Sequence, residues 1–335
     1  MSISLPPVNP LNIGIVVIGR NEGERLKTCI RSLSISGAHI VYVDSGSADN
    51  SVEFVVHSGF DVVELDMSTP FSAARARNEG YRYLLSQYES IRYMQFVDGD
   101  CEVCGNWLTF AYNHLEANAS VVAVCGRRKE RYPESTVYNQ LCDIEWNTPV
   151  GLSSSTGGDF MCRAQALVDI GGFSSQVIAG EEPELCYRWR LKGWLIERLE
   201  ADMTLHDAAM VSVKQWWKRC ERAGHAYAQG FSLHGHDEEK YYRKEVLRIV
   251  FWCVLMIAIF SGVIFLGPWA LILLAIHPVQ IVRIWWQQPA DLTSLTAFIY
   301  AISLVFGKIP EGKGLCAFFI KKILGRSFHI IEYKK

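Results

Sequence analysis

Eighteen consecutive residues, Ile249 to Leu266, carry no charge: IVFWCVLMIAIFSGVIFL. As a helix this run is about 27 Å long, close to the roughly 30 Å of a bilayer's hydrocarbon core. A helix that is apolar all round has no face for water, so it needs either lipid or a large protein core around it. The length and the lack of charge favour lipid. Gly267-Pro268 breaks the run, and a second one, Trp269 to Trp286, holds only His277 and Arg283 as strongly polar residues. Two such runs joined by Gly-Pro predict a transmembrane hairpin, with Trp269, Trp285 and Trp286 near the run ends where interfacial aromatics gather. A shorter and more mixed stretch, Leu292 to Phe306, reads as an interfacial helix or a short third span, the former preferred. Arg243, Lys244 and Arg248 precede the first run, and Lys308 to Lys335 holds seven Lys/Arg against two Glu. Basic flanks on both sides place both on the cytoplasmic face of the inner or plasma membrane.

These runs account for an unusual composition. Half of the 335 residues are hydrophobic and only 20% are charged, against roughly 25% charged in a soluble domain. The net charge of −2 lacks the basic excess of a nucleic-acid binder, so no nucleic acid is expected as a partner. Ten cysteines are scattered without a disulfide framework. Cys101 and Cys104 form one C-x-x-C, but no second pair follows at zinc-ribbon spacing, so reduced, mostly buried thiols are expected. Met1 to Asn12 has neither a basic start nor an apolar run, and no signal peptide is expected there. A GxxxxGK[ST] pattern is absent, which excludes a P-loop nucleotide hydrolase by motif.

Residues 1 to about 210 read differently. Ile13 to Ile18 and His39 to Val43 are short β-branched runs ended by polar turn residues, and Val62 to Leu65 and Tyr93 to Val97 add two more strands. Helical spacing marks Glu24 to Leu33, through Leu26, Ile30 and Leu33, and Ala73 to Leu85. Strand, helix, strand, repeated, predicts an α/β fold: a Rossmann-like, mostly parallel sheet with helices on both faces. Sites in such sheets lie at the C-terminal ends of the strands. Here those ends carry Gly19-Arg20-Asn21-Glu22, Asp44-Ser45-Gly46-Ser47-Ala48-Asp49 and Asp98-Gly99-Asp100.

Asp98 and Asp100 are two carboxylates one residue apart, directly after a strand. Hard oxygen donors of this kind suit Mg2+ or Mn2+, and an ion there would neutralise a diphosphate leaving group. Asp and Gly are also ordinary turn formers, so the motif alone carries little weight.

The order of motifs resembles the family 2 glycosyltransferases, with their GT-A fold. The matching pieces are IVVIGRNEGERL (Ile15 to Leu26), VYVDSGSADNS (Val41 to Ser51), ARARNEG (Ala74 to Gly80), FVDGDCEV (Phe96 to Val103), TGGDFMCRAQALVDIGGF (Thr156 to Phe173) and GEEPELCYRWRLKGW (Gly180 to Trp194). The resemblance implies that Asn21 and Glu22 line the nucleotide pocket, Asp44 contacts the base, and Arg77 and Asn78 lie near the same loop. It implies that Asp98 faces the ribose side and the metal, that Asp100 holds the metal, and that Asp159 sits beside sugar and acceptor. The acidic pair Glu181-Glu182 stands where many relatives carry Glu-Asp, so Glu182 matches the base and Glu181 accompanies it. An acceptor hydroxyl is a poor nucleophile at neutral pH and needs such a carboxylate to take its proton. The pair also suits a helix start, with Pro183 in the first turn. His206, in ADMTLHDAAM after a short strand Ile196 to Leu199, matches a position where His completes the metal site; a structural His is the equal alternative.

In KQWWKRCERAGHAYAQG, Lys214 to Gly230, Arg219 and Arg222 lie on helical spacing beside Trp216 and Trp217. Processive relatives carry Q-x-x-R-W near this place. Here Gln215 and Arg219 are one residue further apart and no Trp follows, which departs from a polysaccharide synthase. Arg219 or Arg222 touches the diphosphate, or the segment is a basic amphipathic helix at the membrane surface.

The expected organisation is a catalytic domain over 1–210, an amphipathic region over 211–245, a transmembrane hairpin over 246–288, and an interfacial or third-span segment with a basic tail over 289–335. The expected activity is inverting transfer of a sugar from a nucleotide sugar, with uridine diphosphate favoured, to a lipid-linked or glycan acceptor in envelope or exopolysaccharide synthesis, with Mn2+ or Mg2+ as cofactor. A transferase that loads polyprenyl phosphate directly, and a non-catalytic sugar-nucleotide-binding scaffold, are the alternatives.

Overall fold

The structure is a computed structural model that describes residues 9–34, 36–288 and 292–326. Most of the segment bearing on a signal peptide, and the basic tail from 327 on, lie outside the described residues. The chain forms two compact units, Met1–Ala209 and Met210–Lys335.

The first unit is built on a nine-stranded sheet. Its N-terminal half is β1 (Ile13–Gly19), α1 (Glu24–Ser34), β2 (His39–Asp44), α2 (Ser51–His57), β3 (Asp61–Glu64), α3 (Ala73–Gln87) and β4 (Tyr93–Asp98). β1 is a continuous apolar run because it lies mid-sheet, parallel to both β2 and β4, with helices covering its faces. α1 buries Leu26, Cys29, Ile30 and Leu33, the face read from its spacing. Ser72 caps α3, accepting from the Arg75 amide. Gly80 lets α3 lie against the sheet: a Cβ there would come within 2.4 Å of Val16 Cγ1.

The rest of the unit adds β5 (Cys101–Val103), α4 (Trp107–Ala117), β6 (Val121–Glu130), α5 (Val137–Trp146), β7 (Gly151–Leu152), β8 (Phe160–Arg163), α6 (Ala164–Asp169), α7 (Glu181–Leu191) and β9 (Leu195–His206). The strand order is β3-β2-β1-β4-β8-β6-β9-β5, with β7 on β9. The parallel arrangement expected from the sequence holds from β3 to β4. Beyond β4 the sheet is mixed, because β8 runs antiparallel to both β4 and β6, and β5 antiparallel to β9. β9 is much longer than the expected Ile196–Leu199. Its polar residues Glu200 and Asp202 hide the continuation, yet it pairs with β6 and then β5, so His206 ends a strand rather than following one. Register shifts at Cys125/Arg127 and Arg127/Arg128 break the β6–β9 ladder, the kind of irregularity that re-aims side chains beside a site.

The second unit consists of α8 (Val213–His234), α9 (Arg243–Leu266), a 3-10 stretch Pro268–Ala275 leading into α10 (Ile276–Trp286), α11 (Ser294–Phe306) and α12 (Lys308–Ile323). Three helical segments, Arg243–Phe265, Pro268–Trp286 and Ser294–Ile323, are long and apolar enough to cross a membrane. The third is longer than the stretch ending at Phe306. The charges that marked its end are paired: Lys308 with Glu311 at 2.6 Å, and Lys313 with Glu221 of α8 at 2.8 Å.

Candidate active site

Three loops meet at the C-terminal edge of β1, β2 and β4, and hydrogen bonds lock them together. Asn21, in the left-handed region at φ 56°, accepts from the Ala48 amide at 2.7 Å, and its own amide donates to Ser47 Oγ at 2.9 Å. The Gly23 amide donates to Asp49. Asp44 is buried and accepts from the Tyr42 hydroxyl, the Gly46 and Ser47 amides and Ser47 Oγ. Its carboxylate thereby shapes the DSGS turn itself. Glu22 pairs with Arg25 at 2.8 Å.

Arg77, projecting from α3, is the hub of the site. It is 3% exposed and reaches Asp98 Oδ1 and Glu181 Oε1, each at 2.8 Å. One guanidinium thus joins the β4 loop to the first turn of α7. Asn78, one residue on, holds the Gly171-Gly172 turn, exchanging two hydrogen bonds with the Phe173 backbone.

Arg128 was not singled out from the sequence, where it stands as one of two arginines in a strand. The irregular ladder separates them: Arg127 pairs with Asp143, while Arg128 reaches Asp159 at 2.7 Å and Asp98 at 3.5 Å. The Arg128 guanidinium also lies 5.6 Å from the Trp146 ring centroid, and Trp146 meets His206 edge-on. Burial opposes ionisation of Asp98, but Arg77 and Arg128 outweigh it and hold its carboxyl below the ordinary aspartate value.

Asp159, expected beside sugar and acceptor, has no exposed surface. It accepts from the Asp98 amide, Thr204 Oγ1 and Arg128. Its carboxylate therefore fastens β4, β6 and β9 to one another beneath the loops.

Asp100, Cys101 and His206 offer ligand atoms that all lie within 4.8 Å of one another. His206 Nε2 is 3.3 Å from Asp100 Oδ1. A carboxylate and an imidazole, both buried, suit a divalent cation. Cys101 joins the pair where the sequence reading had Asp98, whose carboxylate is taken up by the two arginines.

Glu181 and Glu182 open α7, after Gly180 in the left-handed region, where the helix dipole favours carboxylates. Their surroundings differ. Glu181 is tied to Arg77. Glu182 is buried, and its Oε1 accepts from the Thr156 amide at 2.5 Å, Thr156 Oγ1 at 2.7 Å and the Cys186 thiol at 3.1 Å. Its Oε2 makes no hydrogen bond among the described residues. Burial is the largest influence on Glu182, and with the neighbouring Glu181 it raises the carboxyl above the ordinary glutamate value, against hydrogen bonds that lower it. Arg219 and Arg222 lie on α8 of the second unit.

The α/β sheet that presents this carboxylate and arginine cluster at its strand ends has the GT-A fold of solved glycosyltransferase structures. Residues 14–169 match the model of the family described as Glycosyl transferase family 2. Pre-mycofactocin glycosyltransferase of Mycobacterium tuberculosis (strain CDC 1551 / Oshkosh) is 28% identical over 219 residues, covering 60% of this chain and 44% of that protein. The chain thus spans less than half the length of this relative. Among solved structures, the mannosyltransferase PcManGT from Pyrobaculum calidifontis, in complex with GDP-Man and Mn2+, aligns over 97% of this chain and 91% of its own. Its TM-score is 0.57 at 16% identity, a likeness of fold.

Proposed function

We propose that the protein transfers a sugar, with inversion, from a nucleotide-sugar donor to an acceptor hydroxyl at the cytoplasmic face of a membrane. The observation that carries this reading is Arg77, which binds Asp98 of the nucleotide-side loop and Glu181 of the base-bearing helix in one buried ion network. Donor loop and base are thereby held as one constellation, as single displacement requires.

Asn21, Glu22 and Asp44 bear the loops that take the nucleotide. Asp100 and His206 would hold a divalent ion, Mn2+ or Mg2+, which would supply charge neutralisation for the diphosphate leaving group. Glu182 is the general base. Its burial makes it a stronger proton acceptor than a solvated glutamate, whereas Glu181 is committed to Arg77. Oε1 is fixed by Thr156 and Cys186, which leaves Oε2 to take the acceptor proton. As that proton moves to Glu182, the acceptor oxygen bonds to the anomeric carbon from the face opposite the nucleotide, and the bond to the diphosphate oxygen breaks. Asp159 and Arg128 act as positioning residues that set Asp98.

The acceptor proposed is a lipid-linked sugar of envelope or exopolysaccharide assembly. Three helices apolar enough to cross a membrane follow the domain, and tethering raises the local concentration of a lipid acceptor. The test is transfer from uridine, guanosine and thymidine diphosphate sugars to membrane lipid extracts by the detergent-purified protein. A lipid product whose anomeric configuration is inverted from the donor supports the reading. Transfer that survives Glu182→Gln at near-normal rate favours an anionic polyprenyl phosphate acceptor, which needs no base.

A further inference from the structure

Cys101 is the member of the metal cluster that the transferase reading leaves without a task. It stands on β5 directly opposite His206 of β9 in the antiparallel register, and directly paired residues on such strands project their side chains to the same face. Its Sγ is 3.7 Å from Asp100 Oδ1, the oxygen that lies 3.3 Å from His206 Nε2. Bond lengths of about 2.0–2.2 Å for nitrogen or oxygen and about 2.3 Å for sulfur, at tetrahedral angles, put ligand atoms about 3.3 Å apart for the N/O pair and about 3.6 Å for the S/O pair. The observed spacings correspond. The neighbouring acids are already engaged. Glu130 accepts from the Tyr132 and Ala208 amides and from Asn139, and Asp98 is held by Arg77 and Arg128.

We propose that Cys101 is a third ligand of this site, and that its sulfur widens the site's preference for thiophilic divalent ions, Zn2+ and Co2+, over Mn2+ and Mg2+. The inference rests on the reading that Asp100 and His206 hold the ion. When a thiophilic ion enters, the thiol proton passes to solvent and the thiolate sulfur bonds to the metal. Carboxylate and imidazole alone accept Mn2+ readily; a thiolate adds a donor that Mn2+ and Mg2+ use poorly and Zn2+ uses well. Thiophilic ions then compete with the ion that supports transfer, and the site responds to their concentration.

The test titrates Co2+ into metal-stripped, full-length protein in detergent and follows thiolate-to-cobalt charge transfer in the near ultraviolet. Zn2+ and Mn2+ affinities are measured alongside by calorimetry. The unaltered protein and Cys104→Ser, which changes the other half of the C-x-x-C, are expected to show the band, and Cys101→Ser to lose it. Zn2+ affinity of Cys101→Ser should fall by at least the roughly 10- to 100-fold that losing even an outer-shell partner costs, with Mn2+ affinity nearly unchanged. An unchanged band in Cys101→Ser, or equal losses of Zn2+ and Mn2+ affinity in a variant whose circular dichroism shows it folded, overturns the proposal. Asp100→Asn separates the two layers. If it spares the affinity for every ion, the metal site itself is elsewhere and the underlying reading fails. If it abolishes them while Cys101→Ser changes nothing, only the role of Cys101 fails.

Discussion

The two units solve opposite solvation problems with the same chain. In the first, large apolar side chains such as Trp107, Trp189, Phe96 and Phe160 are fully buried, and charged groups gather at the strand ends. In the second, Phe251, Val254, Ile257, Phe260 and Ile264 of α9 face outward, and the helices touch through glycine. A Cβ on Gly224 of α8 would come within 1.9 Å of the Glu311 carbonyl oxygen, and one on Gly314 of α12 within 2.0 Å of that of Glu221. Small residues at the contact and large apolar ones outside are how helices pack where the surroundings are as apolar as the core. One unit is held by exclusion from water; the other combines close backbone contacts with an apolar outer surface that suits lipid.

The largest effect is expected from Glu182→Gln, which should lower kcat by roughly 10^2- to 10^4-fold with donor binding by calorimetry little changed. A parallel loss of binding would place Glu182 in the donor pocket instead. Arg128→Met leaves Asp159 buried without its cation and should cost the first unit about 3–5 kcal/mol, read as a lowered denaturant midpoint. A stability unchanged by it would mean that this network is not what fastens β4, β6 and β9. Ile257→Lys sets a charge in the middle of α9 and should cost about 2.5–3.5 kcal/mol of insertion, seen as protein released from the membrane fraction. Gly314→Ala should destabilise the helical unit by about 1–3 kcal/mol through overpacking, while Gly105→Ala, where an added Cβ meets nothing within 4 Å, should not destabilise the first unit.

The smallest and sharpest test is pH. Because burial raises the Glu182 carboxyl above the ordinary glutamate value, the proton-free base predominates only above that raised value. Transfer should therefore fall as pH drops through it, with an acid limb in kcat/KM that lies above the ordinary glutamate range and vanishes in Glu182→Gln.

Much of the first unit was legible because its local signals agree. The apolar runs of β1, β2 and β4, the spacing of Leu26, Ile30 and Leu33, and the polar turns after each strand all point to one parallel sheet. β5 was too short to read, and the far end of β9 was masked by Glu200 and Asp202. Arg128 was invisible for another reason: its partners Asp98 and Asp159 lie about 30 residues away on either side, and only strand pairing brings them together. Cys101 was likewise read from C-x-x-C spacing as one more buried thiol, since its alignment with His206 is a matter of register. In the second unit the charges Lys308 and Lys313 hid the length of the third segment, because their pairing with Glu311 and Glu221 is a tertiary fact.

The central claim is that Asp100 and its neighbours bind a nucleotide sugar through a divalent ion. Calorimetry of the detergent-purified protein against uridine, guanosine and thymidine diphosphate sugars, with and without Mn2+, tests it most directly when repeated on Asp100→Asn. The account predicts tight binding of one nucleotide class that requires Mn2+ and disappears in the variant. Binding that is equally tight without metal, or that survives Asp100→Asn, would contradict it.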